Sequence, residues 1–294
     1  MDWKSKRVTA LLEQALREDK ATKDATTAIT IDPKLRASGT IVARQECVLA
    51  GLGCIPRFLE IFAQYDTQPS GRFEVISHPE IFDGVRLRPG QAIAVVRHNA
   101  RVLLACERVI LNLLQHMSGV ATLTRRYVDA IQGTKAKVLD TRKTMAGMRV
   151  LDKYAVRCGG GQNHRLDLSD GILIKSNHIS LGGGLKQVLA SALEKREPGR
   201  AVEVEVRSLD ELRIALDGGA EALLLDNMAP AEIKKAVALV RQRGPAIPVE
   251  ASGGITLENI RKYALAGVDS ISVGALTHSA SAVDLSMKIT AELY

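Results

Sequence analysis

Six short apolar runs recur between residues 138 and 276: VLDTRK, GILIKSNH, AVEVEV, ALLLDNM, IPVEASGG and SISVGAL. Each is short enough to be a buried strand, and helical patterns fill the intervals. The spacing is roughly twenty to thirty residues, about one βα unit, and parallel strands need such a crossover between them. The runs differ in sequence, so the repeat is architectural and not a solenoid. The pattern predicts a parallel sheet, either closed toward a (β/α) barrel or open and doubly wound. Six strands fall short of the eight of a complete barrel.

The polar residues fall at the carboxyl ends of these runs: Arg142 and Lys143, Lys175 and Asn177, Glu203 and Glu205, Asp226 and Asn227, Glu250 with Ser252, and Gly274. In β/α barrels that face carries the active site. The densest stretch is Val138 to Ile179. It holds two strands, a helix expected over Met148–Arg157, three glycines (Gly159–Gly161) and the triplet Asn163-His164-Arg165. A parallel crossover puts both strand ends on one side of the sheet. Arg142, Lys143 and Lys175 then point into one space, within reach of His164 and Arg165. Two unit charges roughly 4 Å apart at an effective dielectric of about 20 interact by about 4 kcal/mol. Converging cations therefore need something negative among them, either local carboxylates or a multiply charged ligand. The alternative is a face of solvated charges, the usual fate of Lys and Arg.

Glu203 and Glu205 are two apart on one strand and so share a face. With Asp226 on the next strand they form a set of oxygen donors that suits Mg²⁺, or that pairs with Arg142 or Lys143. Ser252-Gly253-Gly254 precedes a helix expected over Leu257–Ala266. Glycine backbone and a helix N-terminus would together cradle a phosphate, with Gly274 alongside. No HExxH or GxSxG pattern occurs. Chemistry here reads as positioning and electrostatics without a side-chain nucleophile. His78, His98 and His116 read as surface or core-edge residues.

The first third lacks the βα rhythm. Helices are expected over Val8–Glu18, Ile55–Gln64 and Leu103–Thr122, with a half-exposed strand over Thr40–Leu52. Shorter strands are expected over Phe73–Ile76, Gly84–Arg88 and Ala92–Arg97, with a turn at Pro89-Gly90. That is an antiparallel α+β module. The fold class is α/β: an incomplete barrel with an N-terminal α+β sandwich. The expected domains are 1–115 and 116–279, with 280–294 packing back on the first. The net charge of +7 favours anionic partners. Aromatic residues make up only 3% and no dense basic block occurs, which argues against nucleic acid. Cys47, Cys54, Cys106 and Cys158 form no CxxC pair and read as reduced core residues of a cytoplasmic protein. No apolar run is long enough to span a membrane.

The chain resembles the type II quinolinate phosphoribosyltransferases (nicotinate-nucleotide pyrophosphorylases, carboxylating). The likeness rests on Glu107-Arg108 with Asn112-Leu113-Leu114 and Ser118-Gly119, on DTRKT at Asp140–Thr144, and on GGGQNHR at Gly159–Arg165. It continues through LIKSNHI, EVEV, LLDN, ASGGI and VGALTHSA. The resemblance implies transfer from phosphoribosyl pyrophosphate to quinolinate with loss of CO2, giving nicotinate mononucleotide and pyrophosphate, with Mg²⁺ as cofactor. It implies a quinolinate clamp of Arg142, His164, Arg165 and Lys175. Lys143, Glu205, Asp226, Ser252, Gly253, Gly274 and His278 fall on the phosphoribosyl pyrophosphate side, with Glu205 and Asp226 as metal ligands. Lys143, Glu205 and Asp226 are the implied catalytic groups. Arg108 would reach the site of another subunit, which implies a homodimer or a larger assembly. The sequence departs from the family pattern in two places: Met145-Ala146 replaces Thr-Pro, and Ser176 replaces Asp. Neither removes a cation of the clamp. The competing readings are a paralogue acting on another pyridine carboxylate and a noncatalytic anion-binding protein.

Overall fold

Valine and leucine at helical spacing form helix α1, Lys6–Glu18, which buries Val8, Leu12 and Leu16. The computed structural model describes residues 1–65, 71–244 and 246–292. It divides into two compact units. The first comprises 1–123, 145–160 and 280–294; the second comprises 124–144 and 161–279.

In the first unit, α2 spans Ala25–Thr30 and β1 spans Arg36–Ala43. β1 alternates half-buried and buried residues, as a one-sided strand must. The strand expected over Thr40–Leu52 therefore starts earlier and breaks after Ala43; Cys47–Val48 forms a separate two-residue strand, β2. Helix α3 is Cys54–Tyr65, β3 is Glu74–Ile76, β4 is Arg86–Leu87 and β5 is Ala92–Asn99. β5 and the C-terminal strand Leu285–Ala291 flank β1, both antiparallel to it, and β3 pairs with β5. The last two residues of the expected 280–294 segment lie outside the described residues. His98, expected at the surface or core edge, is buried on β5 at 1% exposure, because strand alternation turns it inward beside Phe73.

Helix α4, Ala100–Ala130, is longer than the expected Leu103–Thr122 and continues across the division between the units at Leu123/Thr124. The expected boundary at 115/116 falls inside this helix. Helix α5, Arg149–Cys158, forms where expected but belongs to the first unit. Its Asp152, fully buried, pairs at 2.7 Å with His116 of α4, and its Tyr154 hydroxyl donates to Asp83 at 2.5 Å. The helix that follows β6 in sequence is thus assigned to the first unit and not to the unit of the parallel sheet. Its amphipathic pattern named a buried face but not the partner of that face. Burial pushes the thiols of Cys47 and Cys158 up to about 11 and that of Cys106 to about 12, and raises Cys54 as well, so none is a ready nucleophile.

All six apolar runs become strands of the second unit. They are β6 (Lys137–Leu139), β7 (Ile172–Ile174), β8 (Val202–Val206), β9 (Ala222–Asp226), β10 (Val249–Ser252) and β11 (Ser270–Ser272). They form one parallel sheet in the order β6-β11-β10-β9-β8-β7, so β6 and β7 are its two edges. This is an incomplete β/α barrel. Helices α6 (Ser176–Leu181), α7 (Leu185–Lys195), α8 (Leu209–Asp217) and α9 (Pro230–Arg243) connect its strands. They are followed by the short α10 (Ile260–Leu265) and α11 (Ala275–His278). Val202, Val204, Leu223, Leu225, Val249, Ala251 and Ile271 are fully buried and account for the continuous apolar reading of the strands.

Candidate active site

The carboxyl ends of these strands open into a cavity of about 640 Å³. Of the residues singled out in the sequence, Arg142, Lys143, His164, Arg165, Lys175, Glu205, Asp226, Ser252, Gly253, Gly274 and His278 all line it. Arg108 does not; it is exposed on α4 in the first unit.

The cations are held against acids. Lys175, the residue before α6, places Nζ 3.5 Å from Glu205 Oε2. Burial, and then the neighbouring Arg142, lower the Arg165 guanidinium below its usual range, as convergence of the two arginines requires. Arg207, which the sequence reading passed over, bridges two carboxylates. It lies 3.6 Å from Glu205 Oε1 and 3.3 Å from Asp226 Oδ2. Its only sequence signal is a cation directly after AVEVEV. Lys175 and Arg207 thus both pair with these acids.

Two carboxylates on adjacent strands that reach one guanidinium converge on one point. Their hard oxygen donors suit Mg²⁺, whose remaining positions water and a substrate phosphate would fill. Glu205 and Asp226 therefore fit the implied metal.

Glu203 faces the same side as Glu205 but serves a different space. It lines a second cavity of about 230 Å³ with Glu250, His164 and Arg165. His164 Nε2 lies 3.6 Å from a carboxylate oxygen of each glutamate. Its Nδ1 accepts the Arg165 N–H at 2.7 Å, so the neutral ring carries its proton on Nε2, toward the acids. Burial raises Glu250 toward about 8, with Glu203 and Asp140 adding to the rise and Ser272 and Lys175 opposing it. Burial raises Glu203 likewise, against the pull of Arg165 and Lys175.

Below about pH 4.5 the Glu250 carboxyl is protonated in both the folded and unfolded chain. Above that the unfolded chain releases the proton while the folded one keeps it, so folding is penalised increasingly up to about pH 8. Glu250→Gln lacks that penalty. Its Tm should match wild type near pH 5 and exceed it by on the order of 2–4 °C near pH 8 in thermal melts. A pH-independent difference would contradict the assignment.

The glycines act by shape. A Cβ on Gly274 would lie 3.0 Å from Lys143 Cδ and 3.2 Å from His278 Nε2, so glycine leaves the passage between them open. Thr277 Oγ1 donates to the Lys143 carbonyl at 2.8 Å and fixes that backbone. Gly253 has φ +92° and Gly254 φ +61°, a left-handed path, and a Cβ on Gly253 would strike the Asn227 side chain. The helix expected from Leu257 begins only at Ile260 and has six residues. A helix dipole therefore does not serve this turn; what remains is the glycine backbone itself.

The fold and the cavity define the class: an incomplete β/α barrel that gathers cations and carboxylates at its strand ends, in one chain with an antiparallel α+β unit. The quinolinate phosphoribosyl transferase N-terminal domain matches residues 24–118 and the C-terminal domain of that family matches 120–288. The chain belongs to the quinolinate phosphoribosyltransferase family. It is 42% identical over 279 residues to the nicotinate-nucleotide pyrophosphorylase [carboxylating] of Mycobacterium leprae, covering 95% of each chain. It is 38% identical to quinolinate phosphoribosyltransferase [decarboxylating] 2b, mitochondrial, of Nicotiana tabacum, over 96% of this chain and 82% of that one. The crystal structure of NadC from Streptococcus pyogenes superposes with a TM-score of 0.87 at 38% identity, covering 96% of both chains.

Proposed function

We propose that this chain transfers phosphoribose from phosphoribosyl pyrophosphate to quinolinate with decarboxylation, giving nicotinate mononucleotide, pyrophosphate and CO2 in de novo NAD biosynthesis. The observation that carries this reading is the single cavity in which Arg142, His164, Arg165 and Lys175 meet Glu205 and Asp226. A dianionic aromatic acid satisfies the first group. A cationic sugar centre beside a polyphosphate satisfies the second.

In this reading the clamp turns the pyridine nitrogen toward the anomeric carbon, and charge-assisted bonds to its two carboxylates hold it there. The C–O bond to pyrophosphate breaks as the sugar gains oxocarbenium character. Glu205 and Asp226 face that positive charge, and Lys143, running past Gly274, meets the growing negative charge on pyrophosphate. Glu205 and Asp226 would hold Mg²⁺, which when bound neutralises phosphate charge. The new N–C bond makes the ring a pyridinium. It accepts the electron pair of the adjacent carbon–carboxylate bond, CO2 leaves, and that carbon takes up a proton.

Ser252, Gly253 and His278 complete the phosphate side. Arg108 acts in the site of a second subunit of a homodimer. Mixing Arg108→Ala with Lys175→Ala protein should then restore activity that neither variant has alone; no recovery after subunit exchange would sink that role. The four cysteines, free in the structure, support a reducing compartment, which we take to be the cytoplasm. No helix among the described residues is long and apolar enough to cross a membrane.

The direct test supplies quinolinate and phosphoribosyl pyrophosphate with and without Mg²⁺. Equal amounts of nicotinate mononucleotide, pyrophosphate and CO2 are expected, only with the metal. Comparable turnover of nicotinate would point to another pyridine carboxylate as substrate.

A further inference from the structure

We propose that Asp140 is a positioning residue that presets the His164–Arg165 half of the clamp before substrate arrives. The inference deepens the phosphoribosyl transfer reading and rests on it. Asp140 follows edge strand β6 and is fully buried, at 0% exposure. Its two carboxylate oxygens hold two consecutive residues of a loop more than twenty positions away. Oδ1 accepts the His164 N–H at 2.8 Å and Oδ2 accepts from Asn163 Nδ2 at 2.6 Å.

The backbone continues the same contact. Asp140 N–H donates to Gln162 O at 3.1 Å, and Gln162 N–H donates to Val138 O at 2.8 Å. Leu139 and Gln162 form a parallel bridge. The Gln162–His164 segment thus lies along the edge of β6 that β11 leaves unpaired. The next bond follows from that placement. With His164 fixed at its N–H, its Nδ1 accepts the Arg165 N–H at 2.7 Å, which turns Nε2 toward Glu203 and Glu250. Arg165 then leaves the turn on the cavity side, where it lines the same space as Arg142. The order of ring and guanidinium in the clamp is therefore written by a residue that lines neither cavity.

The chemistry needs two acceptors at position 140. Asparagine keeps one oxygen for the His164 amide but turns its own NH₂ toward Asn163, whose amide must then flip to accept it, and the charged acceptor is lost. Exchanging the two side chains restores a charged acceptor, with donor and acceptor in the opposite sense. Position 163 is exposed and can carry a carboxylate.

The test measures quinolinate KM and Kd, phosphoribosyl pyrophosphate KM, and amide hydrogen exchange at His164 and Arg165, in the full chain. Asp140→Asn should raise quinolinate KM and Kd by about 10- to 100-fold, as loss of preorganisation does. It should leave phosphoribosyl pyrophosphate KM within about twofold and speed exchange at both amides. The Asp140→Asn/Asn163→Asp exchange should bring quinolinate affinity back to within about threefold of wild type. A folded Asp140→Asn protein with unchanged quinolinate affinity and exchange would overturn the proposal. So would an exchange variant that regains Tm but not affinity. If Asp140→Asn does not fold, Asn163→Asp, which sets two carboxylates against each other, decides: unaltered affinity and exchange overturn the proposal. The exchange readout needs no ligand. A wild type that fails to bind quinolinate would therefore defeat the functional reading while the Asp140 inference is still judged.

Discussion

Lys175→Ala is expected to lower kcat/KM for quinolinate by about 10- to 100-fold, through two losses that add. A charge-assisted bond to a dianion contributes about 1.5–3 kcal/mol, and each 1.4 kcal/mol is tenfold. Lys175 also sits 3.5 Å from the buried Glu205 carboxylate and helps hold Glu203 and Glu250 below the values burial alone would give. Without it these acids lose a counter-charge beside the cavity that the dianion enters. The electrostatic cost therefore falls on the substrate carrying two carboxylates. Binding of nicotinate, with one, should weaken much less. Steady-state kinetics with quinolinate and a direct titration of both acids check this. Near-normal quinolinate kinetics would remove Lys175 from the clamp.

Gly119→Ala should destabilise the first unit by about 1–2 kcal/mol net, although alanine is the better helix former by about 1 kcal/mol. Gly119 lies inside α4, and a Cβ there would strike the Ser281 carbonyl oxygen and crowd Ala282. The Ser281–Leu285 segment has little freedom to retreat. Val283 N–H donates to Gln115 O at 3.1 Å, and Gln115 Nε2 donates to Leu285 O at 3.0 Å. Leu285 then begins the strand paired with β1. The opposing obstacle is backbone, so the steric term outweighs helix propensity. Urea denaturation reads the difference as a lowered midpoint; a stabilised variant would mean that the close approach does not exist.

How far the sequence was legible follows from the range of each signal. Strand runs such as AVEVEV are local, and their polar ends mark the carboxyl face because chain direction is fixed within a parallel sheet. That suffices to place Arg142, Lys175, Glu205 and Asp226 around one cavity. Signals that depend on a distant partner were not legible. The pattern of α5 could not reveal that Asp152 meets His116 of α4 within the first unit. Nor could the Ser252-Gly253-Gly254 turn show that a regular helix waits until Ile260. Asp140 stood in plain view within DTRKT. Its meaning lies in an exposed asparagine and a backbone N–H of a loop more than twenty residues on. Arg207 and Glu250 are similar: one is a cation after a strand and the other an acid within one, and only the register of neighbouring strands gives each its partners.

In the proposed function, cations at the strand ends form a seat for a doubly charged aromatic acid. Calorimetric titration of the wild-type protein with quinolinate and with nicotinate, under identical buffer and salt, measures it without catalysis. Quinolinate should bind at least about tenfold more tightly, since its second carboxylate gains at least one charge-assisted bond of about 1.5 kcal/mol. Equal affinities for the two acids would contradict the account.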